Sequence, residues 1–139
     1  MARYETLREV ARLYLRQQRR VAACCGGTSL TQCWILTELG RSGSLTVGQL
    51  AAAIGFDKSW TSRAVDALAA EKLVRKQSHA EDGRRISVIL SAKGKARFAA
   101  INGALDGHSR SVMKRIPAPR RREVEKALLQ LEAALREEA

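Results

Sequence analysis

Apolar residues recur at helical spacing over most of the chain and alternate in one short stretch. Leu7, Val10, Tyr14 and Val21 mark one stripe of a first helix over residues 3–23, and Arg3, Arg8, Arg12, Arg16 and Arg19 occupy much of the rest. Gly26 and Gly27 permit a sharp reversal after it. Ser29 and Gln32 form a capping box, with the serine as N-cap and the glutamine three residues on. They open a helix over residues 30–39 that buries Trp34, Ile35 and Leu39. A loop is expected over residues 40–44. Val47, Leu50, Ala51 and Ile54 then define a short helix beginning at Thr46. Gly55 allows the left-handed turn that ends it, and Asp57 is a good N-cap for the next helix. That helix runs over residues 58–72. Thr61, Ala64, Val65 and Leu68 form its buried stripe, while Ser59, Trp60, Ser62, Arg63 and Asp66 lie on the opposite face.

The alternating stretch comes next. Residues 74–78 predict a strand and residues 80–83 a turn containing Asp-Gly, a hairpin dipeptide. Residues 84–90 predict the returning strand, with Ile86, Val88 and Leu90 alternating against Ser87 and Ile89. Ser91 caps a long helix reaching about residue 116, whose inner face carries Phe98, Ile101, Leu105 and Val112. Gly94, Gly103 and Gly107 each weaken it by about 1 kcal/mol relative to alanine. Pro117 and Pro119 interrupt the chain, and Pro119 suits position N1 of a last helix. That helix repeats Val124, Leu128, Leu131 and Leu135 at four-three-four spacing.

Two helices joined by a tight turn form a helix-turn-helix, whose second helix enters the major groove of DNA. Lys58, Ser59, Trp60, Ser62 and Arg63 are therefore the candidate contacts from that helix. Trp60 either packs on a sugar or thymine methyl or tucks against Phe56. Arg75, Arg84 and Arg85 are candidates from the hairpin. A solvated charge run is the plainer account of such arginines. Directly after a helix-turn-helix, phosphate or minor-groove contact is the better one. Asp82 is a candidate support that orients Arg84 through an ion pair.

Residues 57–94 resemble the MarR family of bacterial winged helix-turn-helix regulators. The features that carry the resemblance are Ser62-Arg63 in the recognition helix, Leu73-Val74-Arg75 entering the wing, Asp82-Gly83-Arg84 at its tip, and Leu90-Ser91-Ala92-Lys93-Gly94 leaving it. Each is weak alone, and their order and spacing together are specific. The resemblance implies a mostly α fold with a small β-hairpin wing, a single winged helix-turn-helix domain over residues 1–139. Its DNA-binding lobe would span about residues 30–95, between dimerisation helices at about 3–25 and 96–138. It further implies a homodimer that acts as a transcription regulator, such as a repressor, on a pseudo-palindromic double-stranded operator. An effector received near the dimer helices would modulate binding. Members of the family commonly bind small aromatic or phenolic ligands between lobe and dimer helices. Tyr14 and Trp34 would contribute to such a pocket here, although core packing is the stronger reading of both. Trp60 departs from the family, which usually has a small residue there.

Composition agrees with this reading. The 139 residues suffice for one domain with a core. Aromatics make up only 4%, so that core must consist mainly of Leu, Val, Ile and Ala. The formal net charge of +11 implies a polyanionic partner. Nucleic acid is expected before a membrane surface, since no apolar run approaches the roughly eighteen residues of a membrane span. The opening MARYETLREV has no apolar signal core, so a cytoplasmic location is expected. A non-specific architectural DNA-binding protein is the alternative that uses the same charge.

Three cysteines, Cys24, Cys25 and Cys33, lie within ten residues. An odd number in a reducing compartment reads as thiols rather than a disulfide framework. They are a candidate sensing site for an oxidant or a soft ion such as Zn²⁺, Cu⁺ or As(III). Cys33 near a helix start is expected to favour the thiolate. Small buried hydrophobes are the competing reading. Catalysis finds little support. Neither His79 nor His108 stands with an acid and a nucleophile in a recognised catalytic pattern, and Lys93-Gly94-Lys95 lacks the upstream glycine of a phosphate loop. A thiol-based enzyme is the least supported class.

Overall fold

The computed structural model describes residues 3–79 and 82–138, and the side chains of all of these except 79 and 82–84. In chain order the elements are α1 (Glu5–Ala23), α2 (Leu30–Ser42), β1 (Ser44–Thr46), α3 (Val47–Ile54), α4 (Lys58–Ala70), β2 (Val74–His79), β3 (Asp82–Leu90), α5 (Ala92–Lys114) and α6 (Ala118–Glu137). They form two compact units, Met1–Leu105 and Asp106–Ala139, with the boundary inside α5. No helix among the described residues is long and apolar enough to cross a membrane.

Local chemistry starts the helices where the pattern predicts. The Ser29 hydroxyl accepts from the Gln32 backbone N–H at 3.2 Å, and the Gln32 side-chain Oε1 accepts from the Ser29 backbone N–H at 3.1 Å. Two orphan donors of α2 are thereby satisfied. Thr46 and Gln49 repeat this arrangement at the start of α3, although the sequence reading did not single out the pair. Gly55 ends α3 in the left-handed conformation at φ 78°. At the last helix, Pro119 falls at N2 rather than N1, because α6 opens at Ala118.

The largest departure from expectation lies between α2 and α3. The predicted loop over residues 40–44 is replaced by a further turn of α2 and by β1. β1 pairs antiparallel with β3, placing Ser44 opposite Ile89, Leu45 opposite Val88 and Thr46 opposite Ser87. The wing is therefore part of a three-stranded sheet in the order β1-β3-β2, not a two-stranded hairpin. A three-residue strand is too short to show alternation, and its partner lies more than forty residues away in sequence. The alternation in β3 also breaks near the tip. Ile86 is 45% exposed while Ser87 and Val88 are both buried. The turn predicted over residues 80–83 includes 80 and 81, which lie outside the described residues.

One core fills the first unit. Cys33, Ile35, Leu36 and Leu39 of α2 meet Leu50 of α3, Val65 and Leu68 of α4, Val74, Val88 and Leu90 of the sheet, and Ile101 of α5. Phe98 and Leu105 pack partly against it. At its edge the chain turns sharply out of α4. Lys72 adopts φ 63°, and the Ser91 hydroxyl both donates to the Lys72 carbonyl at 2.6 Å and accepts from the Gly94 N–H at 3.0 Å. The Ser91 N–H donates to the Leu73 carbonyl at 3.0 Å. The start of α5 is thus tied to the end of α4, with Gly94 buried against Leu73.

The first and last helices have uncovered apolar stripes. On α1 only Ala22 is buried, and Leu7, Val10, Tyr14 and Leu15 are each at least 41% exposed. On α6 no residue is buried, and Leu128, Leu129 and Leu135 are each at least 49% exposed. Within the second unit, the Arg121 guanidinium donates to the carbonyls of Met113, Lys114 and Ile116, closing the C-terminal end of α5.

Candidate nucleic-acid interface

The interface begins with the turn that aims α4. After Gly55 the chain extends, and the Asp57 carboxylate accepts from the Trp60 N–H at 2.7 Å. The Thr61 hydroxyl is buried and donates to the Asp57 carbonyl at 2.8 Å. Thr61, Val65 and Leu68 anchor one face of the helix in the core. The helix period then turns Lys58, Ser59, Ser62 and Arg63 away from the core, where they line one open hollow. It offers two cations and two hydroxyls at the positive end of the helix dipole, a donor set suited to phosphates and base edges.

Trp60 belongs to a neighbouring hollow, shared with Arg63, Ala64 and Ala67 of α4 and with Ser29, Thr31 and Gln32 at the start of α2. It is 50% exposed, and its ring centroid lies 6.5 Å from that of Phe56. Of the two placements open to Trp60 in the sequence, the structure has the one against Phe56. Phe56 was not a candidate residue. Its position directly after the helix-ending Gly55, three residues before a polar helix face, was the available signal.

The hairpin residues separate. Arg85 is exposed on β3. Arg75 is exposed on β2, but it lines a different hollow, with Leu39, Ile89, Lys95 and Phe98 among its walls. Lys76 is held by the Asp66 carboxylate, which joins β2 to the exposed side of α4. The side chains of Arg84 and Asp82, and so their expected ion pair, lie outside the described residues.

The cysteines do not assemble as expected. Cys24 is exposed, Cys25 is half-buried and Cys33 is buried. No group of three His, Cys, Asp or Glu among the described residues is placed to hold a metal ion. The candidate metal site of Cys24, Cys25 and Cys33 is therefore corrected. α2 turns Cys33 into the core beside Ile35 and Leu36, while Cys24 follows the end of α1 on the outside. The expected thiolate at Cys33 is corrected too. Burial, and secondarily the neighbouring Cys25, push its thiol above the usual range, which outweighs the helix dipole.

Residues 27–85 match the family model described as MarR family. No curated protein matches the chain closely enough to count as a relative. Solved structures similar to it include MepR, a transcription regulator of the Staphylococcus aureus multidrug efflux pump MepA. It is 16% identical with a TM-score of 0.81, over 97% of this chain and 99% of that one. A mutant of MarR from E. coli is 17% identical with a TM-score of 0.81, over 97% of both chains. NadR in complex with 4-hydroxyphenylacetate is 21% identical with a TM-score of 0.77, over 97% of this chain and 92% of that one. The likeness therefore extends over α1, α5 and α6 as well as the matched lobe. Residues 27–85 therefore match the MarR family model, and the chain around them shares the fold of these winged helix-turn-helix regulators.

Proposed function

We propose that the protein is a homodimeric repressor that binds a pseudo-palindromic operator, with one α4 helix of each subunit in successive major grooves. The observation that carries this reading is the hollow on α4 formed by Lys58, Ser59, Ser62 and Arg63. Arg85 and Arg84 on the wing would add phosphate or minor-groove contacts, with Asp82 orienting Arg84. A dimer has the support of the uncovered apolar stripes of α1 and α6. A twofold axis would double the +11 charge of each chain and set two recognition helices about one turn of DNA apart.

The test is operator selection from random duplexes, followed by competition with unrelated DNA. A regulator prefers its selected site by about 10³-fold or more, whereas an architectural protein does not discriminate. Arg63→Ala should weaken operator binding by about 1–3 kcal/mol if the arginine pairs with a guanine edge. Equal affinity for the two proteins would remove α4 from the groove.

A small organic acid with an aromatic ring is the effector we propose. The hollow beside β2 and α5 combines the cations of Arg75 and Lys95 with the apolar walls of Leu39, Ile89 and Phe98. That pairing suits a carboxylate on a ring, and the similar NadR structure holds 4-hydroxyphenylacetate. Aromatic carboxylates should release operator from the wild type and not from the Arg75→Ala, Lys95→Ala protein. Equal release from both would place the ligand elsewhere.

A further inference from the structure

Three of the chain's six aromatic residues stand in one row. Trp34 of α2 stacks on Phe56 with centroids 5.5 Å apart and planes at 29°. Phe56 meets Trp60 of α4 at 6.5 Å and 38°. At the end of the row the Arg63 guanidinium lies over the Trp60 ring, 5.7 Å from its centroid. Trp60 and Arg63 are three residues apart, so they share one face of the helix.

The row is not explained by core packing. Trp60 is 50% and Phe56 37% exposed, so neither ring is there chiefly to be buried. Arg63 sits at a seam. It lines the hollow of Lys58, Ser59 and Ser62 and also the hollow that contains Trp60. A free arginine loses rotamer freedom when it docks on a base. An arginine already resting on an indole has lost part of that freedom beforehand. Its planar guanidinium stacks by its face and keeps its N–H edge open for a bidentate partner.

We propose that Trp60 is a positioning residue for sequence recognition: braced by Phe56 and Trp34, its indole holds the Arg63 guanidinium with the N–H edge toward the hollow of Lys58, Ser59 and Ser62. The proposal rests on the regulator reading above. It makes Trp60 a determinant of the preference for operator over other DNA, acting through Arg63 rather than through a base contact of its own. Non-specific affinity depends on charge, which Trp60 lacks, so it should not change.

The experiment measures affinity for the selected operator and for unrelated duplex with wild type, Trp60→Leu, Trp60→Tyr, Arg63→Ala and the Trp60→Leu, Arg63→Ala pair. Trp60→Leu should lower the operator preference by about two- to fivefold, the range of a cation–π contact at an exposed site. Trp60→Tyr, which keeps a π face, should retain most of it. The double variant should be no worse than Arg63→Ala alone, since the indole acts through the arginine. Acrylamide quenching of Trp60 emission in a Trp34→Phe background gives a second reading that needs no leucine variant. Adding Arg63→Ala should raise the quenching, because the guanidinium no longer covers one ring face. A wild type without operator preference overturns the regulator reading and this proposal with it. A wild type that discriminates, beside a Trp60→Leu that discriminates equally, overturns this proposal alone. So do losses from the two single variants that multiply in the double, or quenching that ignores Arg63.

Discussion

Leu128→Glu is expected to convert the proposed dimer to a monomer while leaving the helices of each chain formed. Leu128 is 49% exposed in the single chain, in a hollow shared with Leu131 and Leu135. Its substitution therefore removes little from the folded subunit. In the proposed dimer the same stripe is covered. Burying a leucine side chain is worth about 1.5–3 kcal/mol. Leu128 is already half-buried in the single chain, so about half of this is at stake in each copy; a twofold axis counts it twice, so the dimer loses about 1.5–3 kcal/mol, which raises its dissociation constant by about 10–10²-fold. Sedimentation of the wild type should give twice the 15.3 kDa of the chain, and the variant should sediment as the single chain at micromolar concentration. Unchanged circular dichroism would show that the subunit survives. A Leu128→Glu protein that remains a dimer would move the interface off α6. Operator affinity should fall with the dimer, because two half-sites can no longer be engaged by one molecule.

Gly94→Ala is expected to cost about 3 kcal/mol of stability, the upper end of the overpacking range. A Cβ at Gly94 runs into the carbonyl group of Leu73, with the Leu90 side chain 3.3 Å away. A backbone carbonyl cannot rotate out of the way as a flexible side chain does. This one also accepts from the Ser91 N–H at 3.0 Å, so moving it breaks the tie between α4 and α5. Thermal denaturation should show a fall in Tm of about 10 °C. Gly103→Ala in the same helix is the control. Nothing lies within 4 Å of its Cβ position, and alanine there should stabilise α5 by up to about 1 kcal/mol through propensity. Equal effects at the two positions would show that the approach of α5 to Leu73 is not tight.

These two glycines mark a limit of sequence reasoning. Both appear in the chain as the same weakening of a helix. What separates them is which backbone passes close by, and that follows from the hydrogen bonds that tie Ser91 to Lys72, Leu73 and Gly94. The features read correctly from sequence are those whose physics spans about four residues. The Ser29–Gln32 capping box, the Asp57 cap and the left-handed Gly55 each satisfy or release groups within a single turn. The buried stripe of α4 and the polar face bearing Lys58, Ser59, Ser62 and Arg63 follow from the helical period alone.

What the tertiary structure decided lies at longer range. β1 exists because residues 44–46 find β3 across more than forty residues of chain, and three residues are too few to show a period. Cys33 is an acid weakened by burial rather than strengthened by a helix dipole, because α2 turns it inward among Ile35, Leu36 and the rest of the core. Trp60 could be placed on the outer face of α4 by periodicity, but its direction along that face depends on Phe56 and, through it, on Trp34 of another helix. Sequence by itself determined the order of the helices, the caps at Ser29 and Asp57 and the charged face of α4, since each is set by neighbours along the chain. The third strand, the fate of the cysteines, the intolerance at Gly94 and the indole beneath Arg63 depend on groups brought together only when distant segments pack.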